Sequence, residues 1–306
     1  MSLRLRTLLA FLVVYLVWGS TYFAVRLVVA DVPPLVSLGA RFVVAGLVLA
    51  AFGHLRGEAT PTGRQWRSAA IIGVLLFVCG SGSIAWAQSN GLPSGTAALL
   101  VATVPLWMTL LGRGFGERTP TMAWGGLVLG FAGTALLVRP GSGGAPWLAA
   151  VVVLGAIGWA LGSLLARRMA LPRGGSMAAG AQMLTGGVVL IVVGVVRGEL
   201  AMPATITAPA FLAWAYLVVF GSVLAFRAYA WLLQHVAPAK VGTYAYVNPV
   251  IAVALGGLAG ESISAATGWA MALVLTGVAC TVAARAATPR IAVPTDASSP
   301  PVLGKP

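Results

Sequence analysis

Carboxylates are scarce in this chain. There are six in 306 residues: Asp31, Glu58, Glu117, Glu199, Glu261 and Asp296. Histidines number two, His54 and His235, and so do cysteines, Cys79 and Cys280. Charged residues of both signs make up 8% of the sequence, where a soluble domain has about a quarter and needs them to cover its surface. A chain that is 59% hydrophobic has no such coat for water and belongs in lipid.

Each absence excludes something. No carboxylate falls in the middle of an apolar run; all six lie in loops, at run ends or in the tail. Antiport of a hydrophobic cation against protons normally uses a buried carboxylate that binds either one. A neutral, zwitterionic or anionic solute is therefore the better expectation. Neither histidine has an Asp or Glu cluster beside it, so no enzyme site is expected. Both cysteines sit inside apolar runs, which leaves no ligands for a disulfide framework, a metal site or a cofactor. The net charge of +13 does not point to nucleic acid, because the basic residues stand singly or in pairs at run ends rather than as a patch with interleaved aromatics.

What the chain does have is long apolar runs. A spanning helix needs about 20 mostly apolar residues. On that rule ten spans are expected: 7–26, 34–53, 68–89, 93–111, 120–138, 147–166, 177–196, 207–233, 238–258 and 264–283. The first follows Arg4 and Arg6 like a signal peptide, but it is longer than a signal core and carries Tyr15, Trp18, Thr21 and Arg26, so it is read as retained. With the N-terminus in the cytoplasm, 14 of the 19 basic residues fall on inner segments and three, Arg26, Arg139 and Arg197, on outer ones. The positive-inside rule then places both termini in the cytoplasm of a cell with this inner membrane. Residues 286–306 are rich in Pro, Ala and Ser without apolar period and read as a disordered tail.

The chain also repeats itself. Pro105, Gly116, Glu117 and Gly133 recur 144 positions later as Pro249, Gly260, Glu261 and Gly277. Trp18 and Arg26 recur 141 positions later as Trp159 and Arg167. Two units follow, 1–143 and 144–285, with five spans each. An odd number turns the second unit upside down. The fold class expected is an all-α polytopic membrane protein of two inverted five-helix repeats, an arrangement of secondary transporters that rock around a midplane site.

The Trp-Gly-Ser-Thr-Tyr of residues 18–22, Arg41-Phe42, the Tyr-Val-Asn-Pro-Val of 246–250 and the pairs Gly116-Glu117 and Gly260-Glu261 resemble the drug/metabolite transporter superfamily, EamA branch. The match covers residues 1–285. The resemblance implies a ten-helix basket in the inner membrane, exporting metabolites or amino acids, with helices five and ten outside the cavity. It does not carry the substrate; a multidrug exporter of neutral toxic compounds stays open beside the metabolite reading, as does, outside transport, a membrane scaffold or receptor.

Several residues are candidates to touch a solute. Phe11, Tyr15, Trp18 and Tyr22 share one face of helix one. Trp18 and Trp159 lie near mid-span in symmetry-related helices, where they either form opposing walls of a cavity or pack as core. In helix four Thr103 and Trp107 lie either side of a kink at Pro105; in helix nine Tyr244 and Asn248 precede one at Pro249. A proline frees a carbonyl one turn earlier, which a wet cavity or a side chain can satisfy. Helix three supplies Ser83, Trp86 and Gln88, equally suited to helix–helix bonding. Arg41 and Arg227 are the charged side chains well inside spans, each able to hold a carboxylate, snorkel to a headgroup or act structurally. Asp31 is a candidate partner for Arg41. Gly126-x-x-x-Gly130 in helix five offers a face to a second copy, so a homodimer is a possible partner alongside a small solute and the lipid bilayer.

Overall fold

A computed structural model describes residues 2–117, 119–138, 145–200, 205–236, 241, 243–261 and 264–287. These are helical throughout, with no strand among the described residues. We label the helical rods in chain order: α1 Leu3–Val29, α2 Pro34–Leu55, α3 Gly63–Ser89, α4 Ser94–Gly114, α5 Thr121–Val138, α6 Pro146–Ala166, α7 Gly175–Val196, α8 from Ala208 to His235, α9 Tyr244–Leu258 and α10 Ala265–Ala287. Nine of them are long and apolar enough to cross a membrane, and α9 is a shorter apolar helix. The stretch 238–240, where the ninth span is expected to begin, lies outside the described residues, as do Arg118, Arg139, Arg290, Lys305, Asp296 and the tail beyond 287.

Local chemistry sets the ends. Proline stands in the first turn of α2, α6 and α8, where its missing N–H costs nothing. Thr62 and Gln65 form a capping box at the start of α3. Four helices stop the same way. Gly57, Gly116, Gly198 and Gly260 adopt φ of +74 to +86°, and the next residue is glutamate each time. The amides of Glu58, Glu117, Glu199 and Glu261 each donate 2.9 Å to the carbonyl of the glycine five residues back. That is the Schellman closure, which needs a residue free to enter the left-handed region.

Two rods are interrupted at their centres. Val74–Gly82 within α3 and Leu217–Leu224 within α8 are π-helical. A π-helical stretch keeps its backbone groups paired within the helix, so lipid tolerates it, and π-helical turns occur frequently at functional sites. In α4 the helix breaks at Ala102 and Thr103, two residues before Pro105, whereas α9 runs unbroken through Pro249.

Small residues bring two helix pairs into close contact. Along α2 and α7, a Cβ on Gly39 would lie 2.7 Å from the Gly187 carbonyl, and one on Gly180 would lie 2.9 Å from the Gly46 carbonyl. Along α5 and α10, Gly126 and Gly130 meet Gly277 at comparably short range. The Gly126-x-x-x-Gly130 face is thus occupied by α10 of the same chain, which withdraws it as an argument for a dimer. Without a hydrophobic force between helices in lipid, such backbone approach is a main source of association.

Candidate functional site

The centre of the bundle is built from a tryptophan of each half set against a π-helical glycine of the other. Trp18 on α1 donates its indole N–H to the Gly221 carbonyl in the π-helical part of α8, at 3.1 Å. Trp159 on α6 packs against Gly80 in the π-helical part of α3, where a Cβ would come within 2.7 Å of the ring. The spacing from Trp18 to Trp159 is 141 residues, and so is that from Gly80 to Gly221. The two seats are therefore equivalent positions used in reverse.

Between the indoles stand two phenylalanines. Ring centroids are 5.4 Å apart from Trp18 to Phe226, 6.4 Å from Phe226 to Phe77 and 6.2 Å from Phe77 to Trp159. This chain of rings links Trp18 to Trp159. Phe77 and Phe226 carry no mark in the sequence that singles them out.

Tyr15, Tyr244 and Asn248 extend the Trp18 end. The Tyr244 ring is 5.3 Å from Trp18 and 5.7 Å from Tyr229, in edge-on contacts suited to aromatic quadrupoles. Tyr15 shares a hydroxyl hydrogen bond with Thr243. With its amide oriented to face the acceptors around it, buried Asn248 donates to the carbonyls of Tyr15 at 3.2 Å and Tyr244 at 3.3 Å, joining α9 to α1. Tyr22 lies further along α1, against the cluster of Ala87, Ala97 and Val253.

Arg41 enters this centre from α2. Its side chain is 7% exposed, and its Nε donates 2.9 Å to the Ser222 hydroxyl in the π-helical part of α8. Its guanidinium also approaches Gly221 and the ring of Phe42. No carboxylate among the described residues pairs with it. Asp31 is engaged elsewhere, accepting from the amide and hydroxyl of Thr207 at the start of α8. The position 141 residues after Arg41 is Gln182, so the pseudo-symmetric frame carries this charge on one side only.

The remaining candidates are dispersed. Trp107 donates to the Thr103 hydroxyl at 3.2 Å and stacks near Phe131 of α5 at 4.6 Å, so the two residues close on each other. Ser83 donates to the Gly80 carbonyl and faces Gly155 of α6. Trp86 rests against Trp147 at 5.4 Å with the Arg197 guanidinium above it. Buried Gln88 has no hydrogen-bond partner for either amide atom among the described residues. Arg227 is exposed, and its guanidinium carbon lies 3.8 Å from the centroid of Phe52 on the outer face of α2 and α8. It does not join the central cluster.

A second constellation goes unmarked when Glu117 and Glu261 are taken alone. The pattern Gly-x-x-x-Gly-Glu occurs four times, at 53–58, 112–117, 194–199 and 256–261. Glu58, just past α2, accepts from the Met177 amide in the first turn of α7 at 2.7 Å. Glu199, just past α7, accepts from Leu35 and Val36 in the first turn of α2 at 2.8 and 3.1 Å. Glu261 accepts from the amides of Ser94 and Gly95 at the start of α4 and pairs with Arg26 at 2.8 Å. Glu117 stands 3.9 Å from Arg167. The carboxylate satisfies helix N-terminal donors that lipid cannot, and it suits the positive end of the dipole. The first glycine of each pattern leaves room for that carboxylate. Among the described residues no three His, Cys, Asp or Glu side chains gather to hold a metal ion.

Comparison with known proteins matches the chain to a family. The EamA-like transporter family matches residues 5–139 and again 146–283. The inner membrane transporter YedA of Escherichia coli K12 is 44% identical over 268 residues, covering 86% of this chain and 87% of YedA. The transporter YvbV of Bacillus subtilis is 28% identical over 256 residues, 82% of each chain. A protein of known crystal structure superposes with a TM-score of 0.62 at 24% identity, over 93% of this chain and 99% of its own, which supports the fold.

Proposed function

Because the chain belongs to the EamA-like transporter family and is an inner-membrane transporter by its likeness to YedA, we propose that it exports small metabolites by alternating access. Amino acids or related neutral, zwitterionic or anionic compounds are the solutes. The topology that goes with this reading has ten spans in two inverted repeats, 1–143 and 144–285, with both termini in the cytoplasm. A small-molecule solute and a lipid surround follow from the family itself.

The observation that carries the reading is the reciprocal seating of Trp18 on Gly221 and Trp159 on Gly80. Two equivalent contacts across one axis allow the halves to exchange roles, so that inward and outward states lie close in energy. Arg41 at the same centre, without a carboxylate partner among the described residues, favours a solute with a carboxylate, which a guanidinium holds by two parallel hydrogen bonds. The aromatic chain through Phe77 and Phe226 favours a second reading, export of flat neutral toxic compounds.

Counterflow of labelled amino acids, nucleobases and neutral drugs in proteoliposomes, with and without a pH gradient, separates the two. Exchange of amino acids or other carboxylates upholds the first reading, exchange of drugs alone the second. Exchange of none of them removes both.

A further inference from the structure

Arg227, inside an apolar span yet outside the central cluster, has a setting of its own. Its guanidinium carbon lies 3.8 Å from the centroid of the Phe52 ring, and that of Arg56 lies 4.7 Å from the same centroid. Two cations on separate helices thus share one ring. Both are exposed, and neither has a carboxylate in salt-bridge reach among the described residues. A single aromatic quadrupole does not neutralise two like charges. The site as it stands lacks an anion.

The ground around the pair says where that anion comes from. Arg56 caps the C-terminal end of α2, where helix meets headgroup, and Phe52 draws the Arg227 side chain up to the same level. On the bilayer side of the pair the surface is apolar and uncovered. Val48 and Leu55 on α2 and Phe220 and Leu224 on α8 are exposed at 47, 84, 43 and 41%. Two guanidinium groups at the top of an apolar, lipid-facing strip match a molecule with an anionic head and a hydrocarbon body.

We propose that Arg56 and Arg227, positioned by Phe52, bind the phosphate of one anionic phospholipid whose acyl chains lie along α2 and α8. A lipid with net negative charge is preferred over a zwitterionic one, since two cations face its head and no acid does. A soluble phosphate lacks the body that the apolar strip would cover. The leaflet, cytoplasmic, rests on the topology proposed above; the site itself does not.

Native mass spectrometry of the full chain, released from micelles with added phosphatidylglycerol, phosphatidylcholine or inorganic phosphate, tests this. Phosphatidylglycerol should be retained over phosphatidylcholine by about thirtyfold, on the scale of one basic side chain's attraction to an anionic surface counted twice. Arg56→Gln with Arg227→Gln should abolish that preference, and Arg56→Lys with Arg227→Lys should keep most of it. Arg113→Gln, whose guanidinium stacks on Trp124 elsewhere, should leave it intact. Equal retention of phosphatidylglycerol by the double glutamine variant and the parent would overturn the proposal. So would displacement of the lipid by an equal concentration of inorganic phosphate. Because the readout is a count of bound lipid, it stands or falls apart from any transport assay.

Discussion

Glu58 and Glu199 lie at opposite ends of one helix pair and each closes the other's helix. Glu58, which ends α2, takes the Met177 amide that begins α7; Glu199, which ends α7, takes the Leu35 and Val36 amides that begin α2. The pair therefore runs antiparallel, with glycines at the contact and a carboxylate at each end. Removing either carboxylate leaves half-buried helix N–H groups without an acceptor. Glu58→Ala and Glu199→Ala should each cost about 1–3 kcal/mol. Thermal unfolding in detergent should show both losses, with glutamine recovering part of each.

Glu261 does two jobs. It pairs with Arg26 and also takes the Ser94 and Gly95 amides. Exchanging the charges, Arg26→Glu with Glu261→Arg, would restore attraction but aim a cation at the start of α4, which carries positive partial charge. The exchanged variant should therefore be no more stable than Glu261→Gln alone. A melting temperature that returned to the parent's would mean that the ion pair, not the cap, is what Glu261 supplies.

The span positions were readable because length and hydropathy are what lipid selects for. Pro34–Leu55, Thr121–Val138 and Pro146–Ala166 start within one residue of where apolar runs begin. The repeat was readable too, through Trp18 and Trp159. Glu58 and Glu199 were harder to see because the 144-residue spacing that links Glu117 to Glu261 does not link them; theirs is 141. The π-helical stretches leave no periodic trace, since Val74–Gly82 and Leu217–Leu224 are made of apolar and small residues on every side. Phe77 sits in the first of those stretches and Phe226 two residues past the second, and neither carries a mark in the sequence. Arg227 was placed by depth along its helix, while its side chain is set by Phe52 on another helix.

Trp159→Ala should abolish transport with insertion unchanged, because it empties the Gly80 seat and breaks the aromatic chain at Phe77. Trp18→Phe keeps an aromatic but loses the hydrogen bond to Gly221, so a partial loss of flux is expected. Flux in proteoliposomes, normalised to inserted protein, gives both numbers. Normal flux through Trp159→Ala would reject a functional aromatic centre.

Arg41 and Arg227 make opposite predictions from similar sequence positions. Arg41 is buried at the centre with Ser222 as its hydrogen-bond partner, and the equivalent residue in the other half is the neutral Gln182. Arg41→Gln makes the two halves alike at this position and removes the charge while keeping a hydrogen-bond donor. Charge-assisted hydrogen bonds are roughly twice as strong as neutral ones, so a carboxylate solute should lose about tenfold in flux while a neutral one changes little. Arg227→Gln acts on the outer surface and should leave the ratio of carboxylate to neutral flux as in the parent. Measuring both solutes in both variants gives four values and one comparison that matters. If Arg41→Gln lowers both solutes equally, the guanidinium holds α2 to α8 and takes no part in choosing what is carried.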